Sequence, residues 1–227
     1  MSNLAEIINQ TSTVSAVDLL YESEFEQRRR LGLSQVGHHC PRYLWYKHRG
    51  FDEIPPDGRT LRLFELGNII EEHLADDLKK AGCNLHSQQK KIKFSYDAIT
   101  LRGSCDGIIE GLIESSQPHL WECKTMNDKG FTRLLKVGYE EYNEQYKAQV
   151  HAYMLGLKLK RAFVTVYNKN NSALYQERIK LNPGWIVDKL QDVFSIISKT
   201  TIPERSCPRM DFWRAKFCDF YKVCFDA

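Results

Sequence analysis

A β-rich segment in the middle of the chain, with helical patterns before and after it, limits the folds that this sequence can adopt. Residues 90–111 and 119–126 are rich in strand-forming residues and are broken by turn residues. A second pair of strand patterns follows at 161–181, after one helical segment, and a last helix follows that pair. Helices, a strand cluster, one helix, two strands and one helix, in that order, predict a single α/β domain with a mixed sheet.

The segments before the β-rich region are helical in pattern. Residues 1–30 are polar, with a basic cluster at 26–32 that suits a solvated helix end. A basic, aromatic helix is expected next, with Ser34 as a candidate N-cap. A long helix follows from residue 61, with apolar residues at helical spacing and Gly82 as its stop.

Composition narrows the class of protein. Of the 227 residues, 42% are hydrophobic and 27% are charged, which is ordinary for a globular protein. No apolar run is long enough to span a bilayer, and the N-terminus lacks the pattern of a signal peptide. We therefore expect a cytoplasmic protein with no membrane partner. The seven cysteines, an odd number, favour reduced thiols or metal ligands over a disulfide framework.

One short strand pattern carries charges where apolar residues are expected. Glu122 and Lys124 are two residues apart, so on a strand their side chains point to the same face. Asp106 lies between small residues in the preceding strand pattern, and a hairpin would bring it close. Two carboxylates and the main-chain carbonyl of Cys123 would form a hard oxygen site for Mg²⁺ or Mn²⁺. The alternative is a cross-strand salt bridge on an exposed face.

A helical segment downstream places an amide within an aromatic stripe. Gln149 and Tyr153 are four residues apart and share a helix face, with Tyr142 and Tyr146 along nearly the same stripe. Tyrosines at this spacing are typical of core packing, whereas a buried Gln needs hydrogen-bond partners. Amide and phenol groups also contact DNA phosphates, so this face is a candidate DNA-binding surface.

Three short motifs, taken in order, resemble those of a nuclease superfamily. GSCDG at 103–107, WECKT at 121–125 and QVHAY at 149–153 are similar to motifs of the PD-(D/E)XK nucleases. The closest match is the RecB-like exonuclease branch, which includes CRISPR-associated RecB-like exonucleases, the AddB nuclease domain and phage recombination exonucleases. The resemblance implies that Asp106 and Glu122 are metal ligands, that Lys124 is the catalytic lysine, and that Gln149 and Tyr153 contact DNA.

The resemblance also implies an architecture. The expected fold is a restriction-endonuclease-like α/β core, with a mixed central β-sheet flanked by helices, N-terminal helices and a Cys-rich C-terminal tail. Residues 1–227 would form one nuclease domain. Within it, 1–60 is a helical part that contains Cys40, 61–200 is the catalytic core and 201–227 is the tail.

The first motif of the branch is altered in this chain. Many relatives have Gly-x-x-x-His on a helix, where the His binds metal. Here the run from Gly67 places Glu71 at that position, and His73 lies two residues further on. Glu71 shares a helix face with Leu74, so we expect it to point inward and to be the ligand. His73 is the alternative ligand.

Four cysteines near the two ends of the chain form a second candidate metal site. Cys40 precedes Pro-Arg, and Cys207, Cys218 and Cys224 lie in the tail. This arrangement resembles the iron–sulfur staple of the AddB and CRISPR-associated branch, although one tail spacing differs. It implies a [4Fe–4S] cluster, with Zn²⁺ as the alternative. Mixed ligation by neighbouring histidines, or buried cysteines without metal, also remain open.

The function that these observations favour is a metal-dependent DNA exonuclease. It would hydrolyse phosphodiester bonds at single-stranded or duplex DNA ends. The expected setting is recombination or replication in a bacterial or phage-infected cell, where proteins of those processes are candidate partners. The alternatives are a structure- or sequence-specific endonuclease on the same fold, or a non-catalytic nucleic-acid-binding module.

Overall fold

The computed structural model describes residues 12–225, which contain helices and strands in the predicted order. The expected helix at 1–30 lies in part outside these residues. The helices are α1 (Thr13–Glu24), α2 (Pro41–Arg49), α3 (Gly58–Lys80), α4 (Asp128–Val137), α5 (Tyr139–Tyr142), α6 (Glu144–Leu157), α7 (Pro183–Ser198) and α8 (Tyr221–Phe225). The strands are β1 (Asn84–His86), β2 (Lys91–Tyr96), β3 (Ile99–Ser104), β4 (Gly107–Glu110), β5 (His119–Met126), β6 (Arg161–Asn168) and β7 (Leu174–Lys180).

A five-stranded mixed sheet forms the centre of the molecule. Its strand order is β1-β4-β5-β6-β7, and β5 and β6 are parallel whereas the other neighbours are antiparallel. A parallel pair requires a crossover connection, which α4, α5 and α6 provide here. Strands β2 and β3 form a separate antiparallel hairpin.

The chain changes from one sheet to the other at Asp106. The sequence pattern predicted Asp106 inside a single strand, but the structure has a break between β3 and β4 at Cys105 and Asp106. Strand β3 pairs with β2, whereas β4 pairs with β1 and β5. Cys105 is held at the break by two backbone hydrogen bonds, to Lys90 and from Gln89. Asp106 therefore lies at the end of a strand, where its side chain is free to turn toward β5.

Helices cover both faces of the mixed sheet. On one face, Ile70 and Leu74 of α3 pack in a core cluster with Trp121 and Cys123 of β5. On the other face, α6 and α7 pack on β5 and β6 in the largest core cluster, which includes Tyr153. Because successive side chains of a strand alternate between its faces, residues of β5 are divided between these two cores.

The N-terminal part differs from the sequence pattern in two places. Helix α2 begins at Pro41 with Cys40 as its N-cap residue, rather than after Ser34, which lies in a short 3₁₀ turn. Proline is favoured in the first turn of a helix because its missing N–H has no partner there. Helix α1 ends at Glu24, so the basic cluster at 26–32 is not helical.

The C-terminal tail returns to α2. The Arg42 Nε donates a hydrogen bond to the Pro203 carbonyl at 2.7 Å, and the Tyr43 hydroxyl donates one to Asp219 Oδ2 at 3.1 Å. Phe220 is buried among the aromatic side chains of α2. Within residues 12–225, no helix combines the length and the apolar composition that crossing a membrane requires.

Candidate active site

The predicted acidic and basic residues meet where β4 and β5 diverge. Strand β4 pairs with β5 up to Gly107 opposite Trp121, and Asp106 directly precedes this pair. Glu122 and Lys124 point to the α6 side of the sheet, whereas Trp121 and Cys123 point to the α3 side. The alternation of side chains along β5 therefore produces the shared face that the sequence predicts.

The two carboxylate oxygens of Glu122 have different surroundings. Glu122 is 0% exposed, and its Oε1 accepts hydrogen bonds from Lys124 Nζ at 2.5 Å and from Gln149 Nε2 at 2.6 Å. Its Oε2 is also buried and has no hydrogen-bond partner among residues 12–225. A buried carboxylate oxygen without a partner is costly, so Oε2 is an oxygen that a bound cation would stabilise.

Asp106 is fixed against the edge of β5. Its Oδ2 accepts a hydrogen bond from the Cys123 backbone N–H at 2.8 Å. The N–H and C=O of one strand residue lie on the same edge of the strand, so the Cys123 carbonyl also points toward the Asp106 side. This places a main-chain oxygen and a carboxylate at the same gap between β4 and β5.

The structure separates the two candidates on α3. Glu71 is half-buried and lies within electrostatic reach of Asp106 and Lys124. His73 is 65% exposed and pairs with Asp77, with 3.4 Å between Nε2 and Oδ2. Of these two side chains, Glu71 is thus the one that α3 brings to the other carboxylates.

Burial and mutual repulsion disfavour the ionised carboxylates. Burial raises the pKa of Glu122 and of Asp106, and the Asp106 charge raises that of Glu122 further. Burial and the Asp106 charge raise the pKa of Glu71 to about 7. Burial by itself would lower the pKa of Lys124, but the Glu122 carboxylate beside it raises this pKa well above its usual value. Three carboxylates that act on one another electrostatically thus have one half-buried ammonium beside them, so their negative charge is only partly balanced.

The donor set fits a hard divalent cation, although it is not arranged as a finished cage. No group of three His, Cys, Asp or Glu side chains within residues 12–225 lies close enough to hold a metal ion as it stands. The unpartnered Glu122 Oε2 and the raised carboxylate pKa values nevertheless indicate a site that lacks positive charge. Carboxylate and carbonyl oxygens are the ligands that Mg²⁺ and Mn²⁺ prefer.

Gln149 and Tyr153 connect this centre to a cationic pocket. Both side chains are buried, and both line a pocket beside the β2–β3 hairpin. The other residues that line the pocket are Arg28, Ser34, Lys91, Arg102, Gly103 and Ser104. The basic cluster at 26–32 predicted a solvated helix end, and this pattern gave no indication that Arg28 lines the pocket. Gln149, which lines this pocket, therefore also donates a hydrogen bond to Glu122.

A second feature that the sequence did not predict is the group of aromatic side chains around Lys124. The Lys124 Nζ lies 5.4 Å from the centre of the Tyr146 ring, and that ring stacks on Tyr139 with 5.8 Å between centres. Tyr139 is fully buried and interacts electrostatically with Lys124. The spacing of Tyr142 and Tyr146 predicted core packing, and Tyr146 does pack against the main core, but this spacing carries no signal of a contact with Lys124.

The four candidate cysteines line a single cavity. This cavity, of about 470 Å³, lies between α2 and the tail, and its walls include Cys40, Cys207, Cys218 and Cys224. Their thiols are free, and burial raises the pKa of Cys218 to about 11. His38 and His39 line the same cavity. The thiols are near one another, but here too no three ligands within residues 12–225 form a ready metal site.

The fold and this site define a mixed α/β protein with a carboxylate and lysine centre on the central strand of its sheet, β5. The architecture predicted from the sequence, an α/β fold with a mixed central β-sheet flanked by helices, is confirmed. The sequence itself matches no family model and no curated protein.

Solved structures do match this fold. A crystal structure of SSO0001 is 16% identical and aligns over 97% of this chain and 95% of that one, with a TM-score of 0.52. The alkaline exonuclease LHK-Exo from Laribacter hongkongensis is 17% identical over 60% of this chain and 66% of that one, with a TM-score of 0.46. LHK-Exo in complex with dAMP is 14% identical over 74% and 86%, with a TM-score of 0.49. The similarity to SSO0001 extends over almost the whole of both chains, which therefore share a fold.

Proposed function

We propose that this protein is a metal-dependent deoxyribonuclease of the RecB-like branch, which degrades DNA from its ends. The observation that carries the proposal is the buried Glu122, whose Oε2 has no partner in the described part of the chain while Lys124 holds its Oε1. A buried, partly unsatisfied carboxylate beside two more carboxylates and an ammonium is costly for stability and suits phosphodiester chemistry.

Each residue of the centre has a role in this proposal. Glu71, Asp106 and Glu122, with the Cys123 carbonyl, would hold Mg²⁺ or Mn²⁺. When bound, the ion polarises the scissile phosphate and lowers the pKa of a bound water. The Lys124 ammonium positions the attacking water and stabilises negative charge on the phosphate. Gln149 holds Glu122 in place through its Oε1.

The cationic pocket is the proposed path of the DNA strand. Arg28, Lys91 and Arg102 supply positive charge beside Gln149 and Tyr153. DNA backbone contacts come mainly from such cations together with polar side chains. A strand that lies in this pocket would pass close to Glu122, which supports the assignment of Gln149 and Tyr153 to DNA binding.

The four thiols at the ends of the chain form a structural metal centre in this proposal. Their common cavity supports a [4Fe–4S] cluster, with Zn²⁺ as the alternative. Residues 1–227 then act as one nuclease domain, with 61–200 as its core. The proposed setting is DNA-end processing in recombination or replication, in the cytoplasm of a bacterial or phage-infected cell.

Cleavage of end-labelled linear DNA beside a covalently closed circle tests the proposal. We expect Mg²⁺- or Mn²⁺-dependent loss of the linear DNA while the circle stays intact. Asp106→Asn, Glu122→Gln and Lys124→Ala should each lower the rate by at least ~10²-fold without unfolding the protein. Glu110→Gln is the matched control, because Glu110 is a half-exposed carboxylate at the other end of β4. Wild-type rates in the Glu122→Gln variant would refute the proposal, and cutting of the circle would show an endonuclease.

A further inference from the structure

The Tyr139 hydroxyl is a buried polar group that no other described residue satisfies. Tyr139 begins α5 and is fully buried, and its Oη has no hydrogen-bond partner within residues 12–225. A buried hydroxyl without a partner is destabilising, so a phenylalanine would serve better for packing alone. Packing in the main core explains why an aromatic ring is buried at this position. It does not explain why the ring carries a hydroxyl.

This hydroxyl belongs to the surroundings of the Lys124 ammonium. Tyr139 and Lys124 interact electrostatically, and Glu122 acts on the same hydroxyl. Tyr146 connects the two side chains, because its ring stacks on Tyr139 and lies 5.4 Å from the Lys124 Nζ. The backbone N–H of Tyr139 donates a hydrogen bond to Glu177 Oε2 at 2.8 Å, which anchors the residue. The hydroxyl is thus held in a fixed place within electrostatic reach of the ammonium.

The ammonium has more donors than the observed contacts use. A lysine ammonium has three N–H donors, and Lys124 gives one to Glu122 Oε1. That oxygen also accepts from Gln149. A divalent cation on Glu122 would share the negative charge of this carboxylate and so weaken its attraction for Lys124. The ammonium then needs a second acceptor to stay in place.

We propose that Tyr139 is a positioning residue, whose Oη accepts an N–H from Lys124 when Glu122 engages a divalent cation. This inference rests on the proposed function, because it concerns the lysine of the same centre. In this arrangement the aromatic wall of Tyr139 and Tyr146 confines the ammonium, and the hydroxyl fixes its direction.

Tyr139→Phe tests the proposal, with Tyr142→Phe as the matched control. The Tyr142 ring also stacks on Tyr146, but Tyr142 is only half-buried and lies nearer to α4. We expect Tyr139→Phe to lower kcat by about tenfold to a hundredfold and to leave KM for DNA unchanged. Without metal, its melting temperature should equal or exceed that of the wild type, because an unpaired hydroxyl is removed. The rise in melting temperature on adding Mg²⁺ should be smaller than in the wild type.

A double-mutant cycle with Lys124→Met shows whether the hydroxyl acts through the lysine. In the Lys124→Met background, Tyr139→Phe should cause no further change in the Mg²⁺-dependent shift. The proposal would be overturned if Tyr139→Phe kept both the wild-type kcat and the wild-type rise in melting temperature with Mg²⁺. It would also be overturned if Tyr139→Phe reduced this rise equally in the wild-type and the Lys124→Met backgrounds. If the wild-type protein cleaves no DNA, the proposed function fails, while the thermal measurements still decide the role of Tyr139.

Discussion

At the scale of single residues, part of the centre can be predicted from the sequence and part cannot. The shared face of Glu122 and Lys124 follows from the alternation of side chains along a strand, which is a property of the backbone. The difference between the two oxygens of Glu122 does not follow from it, because the partners of Oε1 include Gln149 on α6. Tyr139 carries no periodic signal of its contact, since the break between α4 and α5 at Gly138, with φ of +78°, sets its position.

The choice between Glu71 and His73 gives a prediction about single residues. Glu71→Gln should weaken binding of Mn²⁺ at least about tenfold, because the side chain loses a charge that faces Asp106. His73→Gln is the matched control, since His73 is exposed on the same helix. Titration calorimetry on the DNA-free protein measures both affinities. A larger loss in His73→Gln than in Glu71→Gln would move the ligand to His73.

At the scale of elements, the order of helices and strands could be predicted, but their pairing could not. The pattern of residues 90–111 placed Asp106 within one strand, yet β3 before it and β4 after it belong to different sheets. Strand pairing is set by long-range contacts, which a local pattern does not contain. The helical spacing of Gln149 and Tyr153 predicted one shared face of α6. It did not predict that Gly103 makes room for Tyr153, where an added Cβ would lie 2.9 Å from the Tyr153 hydroxyl.

The hairpin beside α6 gives a prediction about DNA affinity. Arg102→Gln should weaken DNA binding and lower the slope of log affinity against log salt by about 0.7, the value for one lost contact to a single strand. Arg161→Gln is the control, because Arg161 is an exposed arginine at the far end of β6. Both are measured on Lys124→Met protein to prevent cleavage. An unchanged slope in the Arg102 variant would exclude this pocket as the path of the strand.

At the scale of the whole molecule, helix α2 and the C-terminal tail meet in one cavity. Hydrogen bonds join Arg42 to Pro203 and Tyr43 to Asp219, across more than 150 residues of sequence. The tail has no regular periodicity, so its return to α2 could not be derived from hydrophobic patterning. The resemblance of the cysteine arrangement to an iron–sulfur staple was the signal that linked α2 to the tail, and all four cysteines line the cavity between them.

A metal in this cavity would stabilise the whole chain, because it would close a loop from Cys40 to Cys224. Structural metal sites can contribute on the order of 10 kcal/mol to folding.

Protein purified without oxygen should contain iron and sulfide, or else zinc. Cys40→Ser and Cys218→Ser should lose this metal and unfold at a clearly lower temperature. Cys83→Ser is the matched control, since Cys83 lies outside the cavity near Gly111. Wild-type protein without iron or zinc, whose cavity thiols are freely alkylated in the folded state, would rule out the metal centre. Among the four cysteines, Cys207 is the one whose spacing in the tail departs from the pattern that they resemble. A loss of metal in Cys218→Ser but not in Cys207→Ser would therefore place Cys207 outside the ligand set.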